Sequence, residues 1–194
     1  MNEIIQYCRC CEKPLTRKLI DLGYAPPSND YLSKGDLSSD EVYVPLRVLL
    51  CEKCWLAQTE DFKSPEDLFK SDYAYFSSAS SSWLEHSKEF FVSIKNQLKL
   101  SQNSFVIEVA CNDGYLLRNF QDNKIPNLGI EPTKGTADSA RSIGINVIQE
   151  FFGFDLANKI VNEYGYADLV CGNNVLAHVP DINDFMEAIS IVLK

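Results

Sequence analysis

The chain has 194 residues, 45% of them hydrophobic and 23% charged, with a net charge of −9. That is enough apolar material for the core of one domain or two small ones, and the negative excess disfavours nonspecific binding to nucleic acid or to an anionic membrane. No run of about 18 apolar residues is present to cross a bilayer, and the start, MNEIIQYCRCC, lacks the basic and apolar segments of a signal peptide; a soluble, cytoplasmic protein is expected. Seven cysteines are an odd number and are clustered, which in a reducing compartment argues for metal binding over disulfides.

Cys8-Arg-Cys10-Cys11 opens the chain and Cys51-Glu-Lys-Cys54 follows after a long gap. The pairs Cys8/Cys11 and Cys51/Cys54 each place two thiolates on one tight knuckle. Two knuckles make a tetrahedral four-sulfur site suited to structural zinc, with Cys10 left over. A closed four-cysteine site folds its segment and does not catalyse. Between the knuckles, Gly23, Pro26, Pro27 and Asn29 mark turns. Val42 to Leu50 reads as a strand, with Leu56 to Glu60 returning as its partner. Residues 1–62 therefore read as a small β-rich zinc-binding module.

Residues 63–101 read as a helical linker. Ser64-Pro65-Glu66-Asp67 has the marks of a helix start. Asp72 to Ser82, DYAYFSSASSS, is dense in aromatic and hydroxyl side chains and reads either as a polar loop or as a segment facing a ligand. Trp83 to Leu100 is amphipathic, with Trp83, Phe90, Ile94 and Leu98 at helical spacing.

Residues 102–194 alternate strand and helix patterns. Phe105 to Leu117, FVIEVACNDGYLL, reads as a buried strand, a tight turn and the first turn of a helix. Further strands are expected at Leu128–Glu131, Ile145–Ile148 and Ala167–Cys171, with helices at Thr136–Ile143 and Ala157–Tyr164 and a closing helix at Asp181–Leu193. This rhythm predicts an α/β fold with a parallel, doubly wound sheet. Right-handed crossovers then put the Gly114 turn, Glu131 and Asn173–Val179 at the strand ends where ligands bind in such sheets. Glu131, ending the second strand, suits the ribose hydroxyls of an adenosine ligand, which both NAD and S-adenosylmethionine carry. The first turn separates them. Its frame is Glu108-x-Ala110-x-Asn112-x-Gly114 in place of the G-x-G-x-x-G that a pyrophosphate needs, so a ligand with an amino-acid tail is favoured.

Taken together, IEVACNDGYLL, GIEP and ADLVCGNNVLAHVPDINDF closely resemble the class I methyltransferases that C-methylate nucleotide-linked deoxysugars. CRCC and LLCEKCWLAQ match the four-cysteine zinc domain of that family. Asp21–Asn29 and Asp72–His86 match its other two motifs, so the resemblance spans essentially the whole chain. It implies a partial Rossmann-like methyltransferase sheet behind the zinc module. It also implies S-adenosyl-L-methionine as methyl donor and a keto-sugar nucleotide of the dTDP type as acceptor. Carried over by position, Glu131 with Pro132 holds the ribose, and Glu108, Ala110, Asn112 and Gly114 line the methionine end. Tyr75, Ser78 and Tyr73 reach the donor from the N-terminal side. Asn173, Asn174 and His178 follow the fourth strand towards the methyl group, with His178 the candidate catalytic residue.

The resemblance has a gap. Family members are longer. Their sheet continues past the last helix here, and a C-terminal domain binds the sugar nucleotide and supplies a histidine base. The chain is therefore expected to be such a C-methyltransferase or the donor-binding N-terminal half of one, with self-association or a separate C-terminal half as its partner. A noncatalytic zinc and Rossmann module that binds S-adenosylmethionine or a complementary chain is the alternative.

Overall fold

The computed structural model describes residues 6–28, 31–62, 64–69 and 75–194. The sequence expectations for Asn29, Asp72 and Tyr73 lie outside the described residues. By contact the chain divides into two compact units, residues 1–68 with 179–183, and residues 69–178 with 184–194. No helix among the described residues is long and apolar enough to cross a membrane.

The first unit is built on a three-stranded antiparallel sheet in the order β1 (Arg17–Ala25), β2 (Val44–Leu50), β3 (Ala57–Thr59). The expected strand at Val42–Leu50 and its return are present. β1 was not expected. It runs through Gly23, where the sequence pattern marks a turn. The irregular pairing between Asp21 and Tyr24 shows how the strand passes that point. Gly23 takes a positive φ of 81° and its N–H bonds back to the Asp21 carboxylate at 3.0 Å, so the glycine makes a bulge within the strand. Helix α1 (Pro65–Leu68) begins at the expected proline.

The second unit carries a four-stranded parallel sheet. Its strands are β4 (Val106–Val109), β5 (Asn127–Ile130), β6 (Val147–Ile148) and β7 (Leu169–Cys171), in the order β6-β5-β4-β7. Between them run α3 (Leu117–Asp122), α4 (Lys134–Ser142) and α5 (Phe154–Tyr164), and α6 (Ile182–Val192) follows β7. All three pairings are parallel. The α/β parallel sheet expected from the alternating pattern is therefore present. Chain order moves outward from β4 to β6 and then returns to its other side at β7. The direction reverses at β4, and ligands bind at such reversals in open α/β sheets.

Helix α2 (Ser81–Leu98) precedes β4 and is capped by Ser80, whose hydroxyl accepts the Trp83 N–H. Its inward face differs from the expected stripe. Phe90 and Leu98 are exposed, whereas Ser87 and Phe91 are buried and Trp83, Leu84 and Ile94 pack against the core. The small Ser87 turns its hydroxyl back to the Trp83 carbonyl at 2.7 Å, so a residue that reads as polar is accommodated inside. Phe91 then meets Phe120 of α3 edge to face, ring centres 4.9 Å apart.

Candidate functional site

In the first unit the sulfurs of Cys8, Cys11, Cys51 and Cys54 all lie within 4.8 Å of one another. The contacts Cys8–Cys54 and Cys11–Cys51 are each 3.5 Å. A zinc ion with Zn–S bonds of about 2.3 Å sets sulfur–sulfur edges of about 3.8 Å, so the four thiols fit one tetrahedral ion. Both knuckles turn the same way: Glu12 N–H bonds to Cys8 O, and Trp55 N–H to Cys51 O, at 2.9 Å each. Glu12 and Trp55 accordingly take positive φ. Backbone N–H groups of Cys54 and Lys53 face the Cys51 sulfur and, against burial, bring its pKa down to about 6. Cys10 is exposed and outside the cluster.

In the second unit the loop from β4 to α3 forms the other candidate site. Ala110, Asn112 and Gly114 all have positive φ, at 57°, 51° and 80°. The N–H groups of this loop are spent within the protein, Cys111 on the Ile130 carbonyl, Asn112 on the Glu131 carboxylate and Gly114 on the Cys111 carbonyl. Gly114 is demanded twice, since a Cβ there would also lie 2.3 Å from the Ile145 side chain. Asn112 tolerates the left-handed region better than most residues, and Ala110 bears it with some strain.

Both ends of the Asn112 side chain are used. Its carbonyl accepts the Ser77 N–H at 2.8 Å and its amide donates to the Tyr75 carbonyl at 3.0 Å. Asp113 extends the clamp: Oδ2 accepts the Ser78 N–H at 3.0 Å and the Ser78 hydroxyl at 2.6 Å. The Tyr75–Ser78 segment is thus tied to the loop, with the Tyr75 side chain left exposed. The Ser78 hydroxyl, a candidate ligand contact from sequence, donates its hydrogen bond to Asp113.

Three carboxyl groups gather at this loop. Glu108, on β4, is completely buried, and neither of its oxygens has a hydrogen-bond partner. Burial pushes its pKa well above the usual glutamate range. The polar ends of Tyr115 and Asn173 face it and oppose that shift, and the charges of Glu131 and Asp113 reinforce it. Asp113 keeps one buried oxygen, Oδ1, without a partner. Glu131 follows β5 and is buried. Its Oε2 accepts the Asn112 N–H at 2.9 Å, and its Oε1 accepts the Thr133 N–H at 3.0 Å together with the Thr133 hydroxyl. Pro132 beside it is half-buried.

Beyond β7, Asn173 is exposed and donates its amide to the Tyr115 hydroxyl at 3.0 Å. That bond spans the point where the sheet reverses. Asn174 is exposed with φ 54°. His178 ends a short 3-10 turn, Leu176–His178, and is exposed, its ring centre 6.1 Å from that of Phe69. Thus Glu108, Ala110, Asn112, Gly114 and Glu131 come together around one loop, joined by the backbone of Tyr75–Ser78. Asp113, Tyr115 and Thr133 belong to the same site and were not singled out from sequence. Asp113 lay inside the quoted turn, and the Thr133-x-x-Thr136 spacing at a helix start was the one available signal for Thr133.

Residues 8–69 match a family model described as "Putative zinc binding domain". The C-methyltransferase NovU of Streptomyces niveus is 27% identical over 189 residues, which is 97% of this chain and 45% of that protein. That similarity runs over nearly the whole of this chain. It spans less than half the length of that relative. The resemblance drawn from the motifs therefore holds, for the zinc-binding segment and for the methyltransferase likeness. Among solved structures, DesVI of Streptomyces venezuelae is 13% identical with a TM-score of 0.47, covering 60% of this chain and 48% of that one. A S-adenosylmethionine-dependent methyltransferase from Clostridium acetobutylicum is 18% identical with a TM-score of 0.45, covering 57% and 46%.

Proposed function

We propose that the second unit binds S-adenosylmethionine and that the chain is the donor-binding part of a C-methyltransferase acting on a keto-sugar nucleotide. The observation that carries the donor is the charge of the loop. Asp113 and Glu131 bring two carboxylates to it, Glu108 beside them being held protonated by burial, and the Glu131 carboxylate already takes the Asn112 N–H. A pyrophosphate arriving there would meet like charge, whereas a ligand with an ammonium and a sulfonium would meet opposite charge. The relationship to a C-methyltransferase supports the reaction class.

In that reaction a base would take the proton next to the C4 ketone, and the resulting enolate carbon would attack the sulfonium methyl in line as the methyl–sulfur bond breaks and S-adenosylhomocysteine leaves. Holding both reactants in this geometry supplies most of the acceleration. His178 is the candidate base within this chain. The four-cysteine site is structural, since a closed tetrahedral set leaves no open coordination position.

Calorimetry with S-adenosylhomocysteine tests the donor. Glu131→Ala removes a charged acceptor whose hydrogen bonds contribute roughly 1.5–3 kcal/mol, so affinity should fall about tenfold or more. Equal affinity in the variant would rule out this placement of the ribose. Transfer of isotope from labelled donor to a 4-keto sugar nucleotide tests the reaction, alone and with any separately encoded C-terminal half. The second reading is a binding module without turnover. It is favoured by β7, which among the described strands has β4 as its sole neighbour, so that Leu169–Cys171 presents an edge suited to self-association or to a complementary chain, only Ala167 before it being bridged by Leu193. Donor binding without transfer, with association seen by light scattering, would select it.

A further inference from the structure

We infer that Tyr115 is a positioning residue for the donor. Its hydroxyl turns the Asn173 carboxamide so that the carbonyl oxygen of Asn173 faces outward, as an acceptor for the cationic, hydrogen-donating part of a bound donor. This deepens the donor-binding reading above and rests on it.

Tyr115 lies in the β4–α3 loop and is buried, whereas Asn173 follows β7 and is exposed. They meet where the sheet reverses, the place at which ligands enter open α/β sheets. Asn173 donates its amide to the Tyr115 hydroxyl at 3.0 Å, and the indole N–H of Trp83 and the carboxyl of Glu108 also face that hydroxyl. An indole can only donate. Trp83 and Asn173 therefore take the lone pairs of the oxygen, and its one proton is left for the Glu108 side. Burial raises the Tyr115 pKa, so the proton is retained. The Asn173 amide in turn faces oxygens on its inward side, the Tyr115 hydroxyl and the Glu108 carboxyl. Its two N–H donors fit them, and the carbonyl oxygen is left for the exposed side.

An exposed carboxamide ordinarily rotates and offers either end. Held by Tyr115, this one offers an acceptor. That end suits an ammonium or the hydrogens of a sulfonium methyl and repels a carboxylate, so Asn173 selects by charge the part of the ligand in front of it. Tyr115→Phe removes the hydroxyl and keeps the ring against Trp83, 5.9 Å between centres. Trp83 is half-buried and its N–H can turn to water. The substitution thus releases the amide and leaves the packing in place.

The test is calorimetric binding to the full chain of S-adenosylhomocysteine, which carries the ammonium, of sinefungin, which adds an amine in place of the sulfonium methyl, and of 5′-methylthioadenosine, which carries neither charge. Asn173→Ala should weaken a charged probe about tenfold or more, as for a hydrogen bond to a charged group, and leave methylthioadenosine within about twofold. Loss for both charged probes assigns the ammonium to Asn173, and loss for sinefungin alone assigns the methyl position. Tyr115→Phe should weaken the same probe about threefold or more, the cost of immobilising a released side chain on binding. Because Tyr115 acts through Asn173, adding Tyr115→Phe to Asn173→Ala should cost no more than about a further twofold. Asn173→Asp, which has acceptors at both ends and needs no orienting, should keep the affinity, alone and together with Tyr115→Phe. Charged probes unaffected by Asn173→Ala, losses that multiply in the double variant, a tenfold loss in Asn173→Asp, or an equal loss for methylthioadenosine in Tyr115→Phe would each overturn the proposal while leaving donor binding intact. Failure of the wild type to bind S-adenosylhomocysteine would instead bring down the donor reading and this inference with it.

Discussion

The side-chain carbonyl of Asn112 accepts the backbone N–H of Ser77 at 2.8 Å, joining positions 35 residues apart. Its amide donates to the Tyr75 carbonyl, so one left-handed residue of the β4–α3 loop fastens the preceding segment. Asn112→Gly keeps the permitted positive φ and removes only the side chain. Two hydrogen bonds are lost, each contributing about 0.5–1.5 kcal/mol. The variant should unfold in urea with stability lower by about 1–3 kcal/mol, and proteolysis within residues 75–79 should accelerate. Unchanged cleavage there would show that Asp113 alone holds the segment.

Glu108 supplies a pH prediction. Its native pKa lies well above its ordinary value of 4.5 because the carboxyl is wholly buried. Between those two values the folded chain holds a proton that the unfolded chain has released. Stability therefore falls as pH rises through that window and levels off above the native value. Glu108→Gln removes the titration. Its stability minus that of the wild type should be lowest near pH 4 and should grow from pH 4.5 upward. Asp21, Asp138 and Asp168 have pKa values lowered by hydrogen bonds from Lys18, Lys134 and Lys194. They act in the opposite sense at lower pH and cancel in the difference. A difference independent of pH would mean that Glu108 is ionised in the folded chain.

Two positions of one loop should respond in contrasting ways. Ala110→Gly relieves a left-handed alanine, roughly 1–2 kcal/mol, and adds unfolded-state freedom of about 0.5–1 kcal/mol. The net change should lie between about 0 and 1.5 kcal/mol, on the stabilising side. Gly114→Ala places a methyl 2.3 Å from the Ile145 side chain at φ 80°. Overpacking and backbone strain together should cost at least about 2 kcal/mol. Denaturant midpoints of the two variants decide this, and a tolerated Gly114→Ala would contradict the loop geometry.

The first unit should depend on metal. Purified protein should carry one zinc ion per chain. Cys51→Ser should lose it, and Cys10→Ser should keep it. Chelation should abolish the β-sheet signal of residues 17–59, because ion binding and folding are coupled at such sites. Zinc retained by Cys51→Ser would displace that residue from the coordination set.

Much of this architecture is legible from residue order alone, and the exceptions have physical causes. Val106–Ile107 and Leu128–Ile130 announce buried parallel strands because both their faces are covered. The two Cys-x-x-C pairs announce the metal site because a thiolate knuckle has a fixed short spacing. β1 escapes notice because eight of its nine residues are exposed, so no buried face imposes alternation on it, and its Gly23 marks a bulge where a turn is expected. The inward face of α2 is displaced because Ser87, polar by composition, satisfies its hydroxyl within its own helix. The commitments of Ser78 to Asp113 and of Thr133 to Glu131 were hidden for a further reason. They depend on where a hydroxyl points once strands and helix starts are assembled, and spacing does not record that.

The order β6-β5-β4-β7 also sets a sequence of events in time. Val106 pairs with Asn127, 21 positions away, but with Leu169 on the other side, 63 positions away. Loop-closure entropy rises with the logarithm of length, so the threefold longer closure costs about 1 kcal/mol more. The β4–β5 hairpin-free crossover should therefore assemble first and carry the turn at Asn112 with it. β7 should dock last and open first. In native-state hydrogen exchange the amides of Leu169–Cys171 should lose protection ahead of those of Leu128–Ile130. The donor loop would then stand on the slow-opening side of the sheet, and Asn173, which meets it through Tyr115, on the side that breathes.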